Sequence, residues 1–133
     1  MWNDGRVMAA RRTIRDRIRD FALSLPGAYE DFPWGETVIK VNKKVFVFLG
    51  TGAGPEDPGM SVKLKDSNAQ ALMVPGASPT RYGLARGGWV TVPLAKKAPP
   101  FGVLSDWVEE SYRAVAPKKL LAGLDAPPRK GGR

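Results

Sequence analysis

The chain has 133 residues, 43% apolar and 26% charged, with a formal charge of +8 and neither cysteine nor histidine; that length and balance suit one globular domain with a single core. The missing residue types exclude disulfides, thiol nucleophiles and Cys/His metal sites, and remove the side chain most used for proton transfer near neutral pH. No apolar run approaches the roughly 18 residues of a membrane span, and residues 1–12 lack the apolar segment of a secretory signal, so the expectation is a cytoplasmic protein with no membrane contact and no cofactor.

Residues 1–8 have no periodic pattern and read as a frayed terminus. Ala9 to Leu25 is predicted to be helix: Ile14, Ile18, Phe21, Ala22 and Leu25 share one face of a 3.6-residue period, and Pro26-Gly27 ends it. Arg11, Arg15 and Arg19 line one flank of that face. They read either as a phosphate-contacting stripe or as a solvated flank partly paired with Asp16 and Asp20, and the second reading is preferred because such spacing is common on exposed helices.

Tyr29 to Leu64 reads as a meander of strands, Tyr29–Trp34, Glu36–Val41, Val45–Leu49 and Met60–Leu64, rich in β-branched and aromatic residues. Asn42-Lys43-Lys44 is the turn of an antiparallel hairpin. The five consecutive apolar residues Val45 to Leu49 imply a strand covered on both faces. Glu30 and Asp31 are strand neighbours, so they point to opposite faces, which argues against a shared acid–base or metal site. Gly50 to Gly59 is glycine-rich, yet no Gly-Lys-Ser/Thr follows and Glu56 and Asp57 would repel phosphate; it reads as a connection, not a phosphate cradle.

Farther on, Ser67-x-x-Gln70 matches a capping box opening a short helix whose buried side is Ala69, Leu72 and Met73. Residues 77–88 form a loop carrying Arg81, Tyr82 and Arg86, Trp89–Val92 is the last clear strand, and Leu94 to Pro100 is a connection bearing Lys96 and Lys97. Phe101 to Ala116 is helix, with Leu104, Trp107, Val108, Ser111, Tyr112 and Val115 on one side. Residues 122–133 are basic, rich in Pro and Gly, and predicted to be a disordered tail. The fold class is α+β: two layers, an antiparallel sheet of about five strands packed with N-terminal and C-terminal helices, in one domain over residues 9–121.

The charge is unevenly placed. Residues 1–28 carry six Arg against three Asp, residues 113–133 six basic groups against Asp125, and residues 29–112 nine of each sign. Within that neutral middle, residues 60–97 hold Lys63, Lys65, Arg81, Arg86, Lys96 and Lys97 against Asp66 alone.

Several local patterns, in this order and spacing, resemble the YjbR/MmcQ-like family of small bacterial proteins: Phe21-Ala-Leu-Ser-Leu-Pro-Gly-Ala, Phe32-Pro-Trp-Gly35, Val38-x-Lys40-Val-x-x-Lys44-x-Phe46, Ser61-Val-Lys63-Leu, Trp89-Val-Thr-Val92, Val108-x-x-Ser111-Tyr112 and Lys118-Lys119-Leu120. The match covers roughly residues 13–121. The resemblance implies a frataxin-like, secretion-chaperone-like two-layer arrangement and a role in DNA binding through a double wing of hairpins. Where the family often carries Asn-Lys-x-His-Trp, this chain reads Leu84-Ala-Arg86-Gly-Gly-Trp89, so only the basic position and the tryptophan carry over. The formyltransferase label borne by some relatives does not transfer, since that chemistry looks for a histidine.

The leading expectation is a non-enzymatic DNA-binding protein, for double or single strands. Its phosphate contacts would be Lys40, Lys43, Lys44, Lys63, Arg81 and Arg86, with Trp34, Tyr82 or Trp89 stacking on a base. The alternative is a protein-binding or chaperone-like module, using an apolar sheet face to meet a partner or a second copy of the chain. An enzyme or small-anion binder built on Tyr82, Lys63 and Arg81 or Arg86 is disfavoured, because no nucleophile, base and oxyanion donors come together.

Overall fold

The computed structural model describes residues 13–50, 59–81, 84–94 and 98–125, and of Trp34 the backbone alone. The predicted segments 1–12, 51–58, 95–97 and 126–133 lie outside the described residues, as does Tyr82.

Helix α1 spans Ile14–Leu23. Thr13 caps it: its hydroxyl accepts from Asp16 N, and Asp16 returns a bond to Thr13 N. The capping box thus sits on Thr13-x-x-Asp16. The one expected at Ser67 does not form, since Ser67 makes no side-chain cap bond to α2 (Asn68–Leu72). Instead Glu110 reaches over and accepts from the backbone N–H groups of Asp66 and Ser67 at 2.8 and 3.0 Å. The buried side of α2 is Ala71; Met73, expected inside, is 83% exposed and Ala69 is exposed.

The sheet has six strands, β1 (Tyr29–Asp31), β2 (Thr37–Val41), β3 (Lys44–Gly50), β4 (Gly59–Lys63), β5 (Ser78–Pro79) and β6 (Trp89–Pro93), in the order β1-β2-β3-β4-β6-β5. All pairs are antiparallel. The expectation of about five strands missed β5, two residues inside a predicted loop. It is an edge strand, where a proline is tolerated. The first strand stops at Asp31, not Trp34, because Pro33 opens a short 3-10 turn, Pro33–Gly35. The hairpin turn is Asn42-Lys43 alone, at φ 52° and 69°, a pair of left-handed residues that matches the strand twist. Lys44 belongs to β3 and pairs with Val41.

The strand Val45–Leu49 is not covered equally on both faces. Register shifts against β2 leave Phe46 and Leu49 as extra residues of β3. With two bulges, Phe46, Val47 and Leu49 all join the core cluster under the helices, while Val45 and Phe48 stay half-buried. Each bulge leaves a carbonyl for a side chain to satisfy. Arg15 donates to Leu49 O and Gly50 O at 3.1 and 3.2 Å. Ser111, fully buried, donates to Phe46 O at 2.6 Å and accepts from Lys63 N at 2.8 Å. The direct β3–β4 pairing consists of Val47↔Val62 and Phe48↔Ser61, so this serine bridges the two strands one position beyond the last direct pair.

Helix α3 (Phe101–Val115) carries that serine. Its buried residues are Leu104, Trp107, Val108, Ser111 and Tyr112, the predicted face with Val115 only partly covered. Tyr112 packs edge-on against Phe46, and its hydroxyl donates to Pro26 O at 2.7 Å. Phe101 meets Phe21 edge-on, and the Arg17 guanidinium lies 4.2 Å from the Phe101 ring centre. Helix α4 (Lys118–Asp125) follows. The predicted tail from residue 122 therefore loses its first four residues to this helix, whose Leu120, Leu121 and Leu124 pack on the core. Among the described residues no helix is long and apolar enough to cross a membrane.

Candidate nucleic-acid interface

Strand register decides which of the basic residues meet. β2 and β3 turn at Asn42-Lys43, β4 ends at Lys63, and β6 begins at Trp89 opposite Lys63. Because the strands are antiparallel, these three points share one end of the sheet. Arg81 reaches the same end, since Pro79 pairs with Val90 and Thr80 N donates to Trp89 O. Arg86 lies in the 3-10 turn Leu84–Gly87 that leads into β6. Lys65, two residues beyond β4, joins Lys63, Asn68 and Arg86 around a cleft of about 650 Å³.

The turn into β6 is held tightly. Gly88 O accepts from Leu64 N at 2.9 Å and from Asn68 Nδ2 at 3.1 Å. Gly88 has φ +89°, and a Cβ there would sit 2.8 Å from Leu64 O, so the position requires glycine. Beside it, a Cβ on Gly87 would lie within 4 Å of both Lys63 Cε and the Trp89 ring, so the lysine and the tryptophan flank the same spot.

The predicted contacts are not equivalent. Lys43, Lys44, Arg81 and Arg86 are exposed, and neither they nor Lys63 form an ion pair among the described residues. Lys40 is half-buried and paired with Asp31 at 3.2 Å. That carboxyl is held below its ordinary range, first by the Phe32 N–H and then by Lys40. Trp34 is separated from the group, because the Pro33–Gly35 turn follows β1 at the opposite end of the sheet. Trp89 is 8% exposed with its ring against Phe48 at 5.2 Å, which leaves little of it for stacking.

Elsewhere charge holds the fold. Arg19 grips Glu30 through two bonds of 2.6 and 2.7 Å, and this partner pulls the Glu30 carboxyl below its ordinary range. Arg113, next to the basic cleft, is occupied by Glu109 and Asp125. Burial pushes the Glu110 carboxyl up, but the Ser67 hydroxyl and the N–H groups of residues 65–67 outweigh it and hold it down. Glu30 and Asp31 serve separate partners, and no cluster of acidic residues among the described residues could hold a metal ion.

The helix-free face of the sheet carries what sequence reasoning passed over. Phe48, Ser61, Thr91 and Ser78 form one cross-strand row over four strands. Ser61 Oγ and Thr91 Oγ1 lie 2.8 Å apart, and Thr91 Oγ1 lies 3.0 Å from Thr80 Oγ1. These residues line a groove of about 460 Å³ with Arg81 on its rim and Glu36 at its far end. The alternation of Ser61 and Lys63 in β4 was a legible signal that these side chains face away from the core.

The fold is similar to that of a solved Deinococcus radiodurans protein, DR2400, described with the domain DUF419: the two share 23% identity over 91% of this chain and 94% of that chain, with a TM-score of 0.67. No curated protein matches the sequence. The family model YjbR matches residues 23–114, which takes in all six strands and nearly the whole of α3; the chain is a member of the YjbR family.

Proposed function

We propose that the protein binds DNA and catalyses no reaction on it. The observation that carries this reading is the shared end of the sheet, where Lys43 and Lys44 on one projection and Arg81 and Arg86 on another flank Lys63. Two projections bearing cations with no ion pair among the described residues match phosphate recognition, which needs positive groups and no particular base. In this reading the β2–β3 turn and the segment before β6 are the two wings. Lys40, held by Asp31, is a support and not a contact.

The test is a fluorescence-anisotropy titration of the full chain with duplex and single-stranded DNA at several salt concentrations. Affinity should fall steeply with salt, and Lys43→Glu with Lys44→Glu should lower it at least tenfold while shallowing the salt slope. Unaltered affinity in that variant would remove the hairpin from the interface.

A protein partner, or a second copy of the chain, is the other reading. It draws support from Tyr29 and Phe32, 41% and 58% exposed on and beside β1, the edge strand among the described residues, the kind of edge an incoming strand pairs with. Light scattering of the wild type and of Phe32→Ser tests it; a monomer in both cases counts against self-association.

A further inference from the structure

We infer that the groove on the open face of the sheet takes an unpaired base, so that the ligand is single-stranded DNA; this rests on the DNA reading above and names the form of its ligand. The row Phe48, Ser61, Thr91, Ser78 forms a floor one residue wide across four strands. On the side away from the basic end, the next positions are Gly50, Gly59 and Pro93, which send no long side chain into the space. The hollow of about 460 Å³ follows from that sequence pattern and falls within the range of small-ligand sites.

Its chemistry suits a nucleobase. Phe48 is half-buried, lines the groove floor and has its ring held against Trp89 in an edge contact, so it brings a fixed aromatic ring to the groove. Such a surface accepts every base, because each has a π-face. Ser61, Thr91 and Thr80 form a connected chain of hydroxyls. A hydroxyl both donates and accepts, so the chain can reorient to meet either kind of group on a base edge. Duplex DNA hides its base faces in the stack and cannot place one in a concave floor. Arg81 on the rim and Lys63 one row away give the backbone of the strand a cationic track from the groove to the basic end. Glu36 closes the opposite end, where a phosphate would be repelled.

Anisotropy titrations of the full chain with a short oligothymidylate and a duplex of equal length test the inference. The oligothymidylate should bind more tightly. Phe48→Leu keeps the apolar bulk but removes the ring, and should weaken oligothymidylate binding by about tenfold while leaving the duplex unchanged. Thr91→Val, which keeps the shape and breaks the hydroxyl chain, should weaken it several-fold; this variant decides the matter if Phe48→Leu lowers the melting temperature. Equal binding of both DNA forms, with neither variant changing their ratio, overturns the groove and leaves the DNA reading standing. Absence of binding to either form overturns both.

Discussion

Arg15 and Arg19 on α1 carry the same charge as Lys43, Lys44 and Arg86 at the strand ends, yet the two sets are spent differently. Arg15 closes the carbonyls of a β-bulge and Arg19 clamps Glu30, so both belong to the fold. The strand-end residues have no carboxylate partner among the described residues and face outward. What separates them is the position of oxygen acceptors. A basic stripe becomes structure where carbonyls or carboxylates come within reach, and remains available for a ligand where they do not. Total charge, +8 for this chain, does not make that distinction.

Substitutions can sharpen or break the contrast. Ser111→Ala has the largest expected effect on stability, about 2–4 kcal/mol, because it takes the hydroxyl partner from the buried Phe46 O and the part-buried Lys63 N. Chemical denaturation measures it; a loss below about 1 kcal/mol would mean the two strands close on each other directly. Arg15→Ala should cost about 1–2 kcal/mol through the lost charge-assisted bonds to Leu49 and Gly50, with DNA affinity unchanged. If affinity fell as well, the helix flank would join the interface and the contrast would fail. The Lys43→Glu, Lys44→Glu pair should behave in the opposite way, with a stability change within about 0.5 kcal/mol beside its loss of affinity.

The smallest effect concerns pH. With no histidine in the chain, stability should be nearly flat between about pH 6 and 8. Glu30 and Glu110 have folded-state pKa values below the ordinary 4.5. Their stabilisation is therefore complete above that value and is lost as pH falls through the lower folded values. Glu110→Gln should lower stability at neutral pH and flatten the acid decline, as followed by thermal melts from pH 7 to 3. An unchanged acid profile would assign the decline to other carboxylates.

Much of the scaffold was legible because it follows from local pattern. The face of α3 from Leu104 to Tyr112 and the strands around Val38–Val41, Val45–Leu49 and Val90–Val92 declare themselves by periodicity. The bulges at Phe46 and Leu49 did not, since a bulge exists only relative to a partner strand. Their five-residue apolar run therefore suggested two covered faces when three of its residues turn to one. The same limit hid Glu110 as the acceptor for Asp66 and Ser67, 43 residues or more away in sequence. It also hid the groove, whose residues come from four strands and carry no shared motif. Basic candidates were legible as residues, but only register could separate Lys40, tied to Asp31, from Lys63.

The hydroxyl of Ser111 has a consequence for the whole molecule. The sheet divides into β1-β2-β3 and β4-β6-β5, and among the described residues β3 and β4 pair directly at two positions, with Ser111 bridging them at a third. The hairpin carrying Lys43 grows from one half, and the segments carrying Arg81 and Arg86 from the other. The spacing of the two projections thus depends on the seam inside the core, where a buried side chain of α3 bridges the two halves. A change of one buried atom there would alter the gauge of the surface without altering any residue on it.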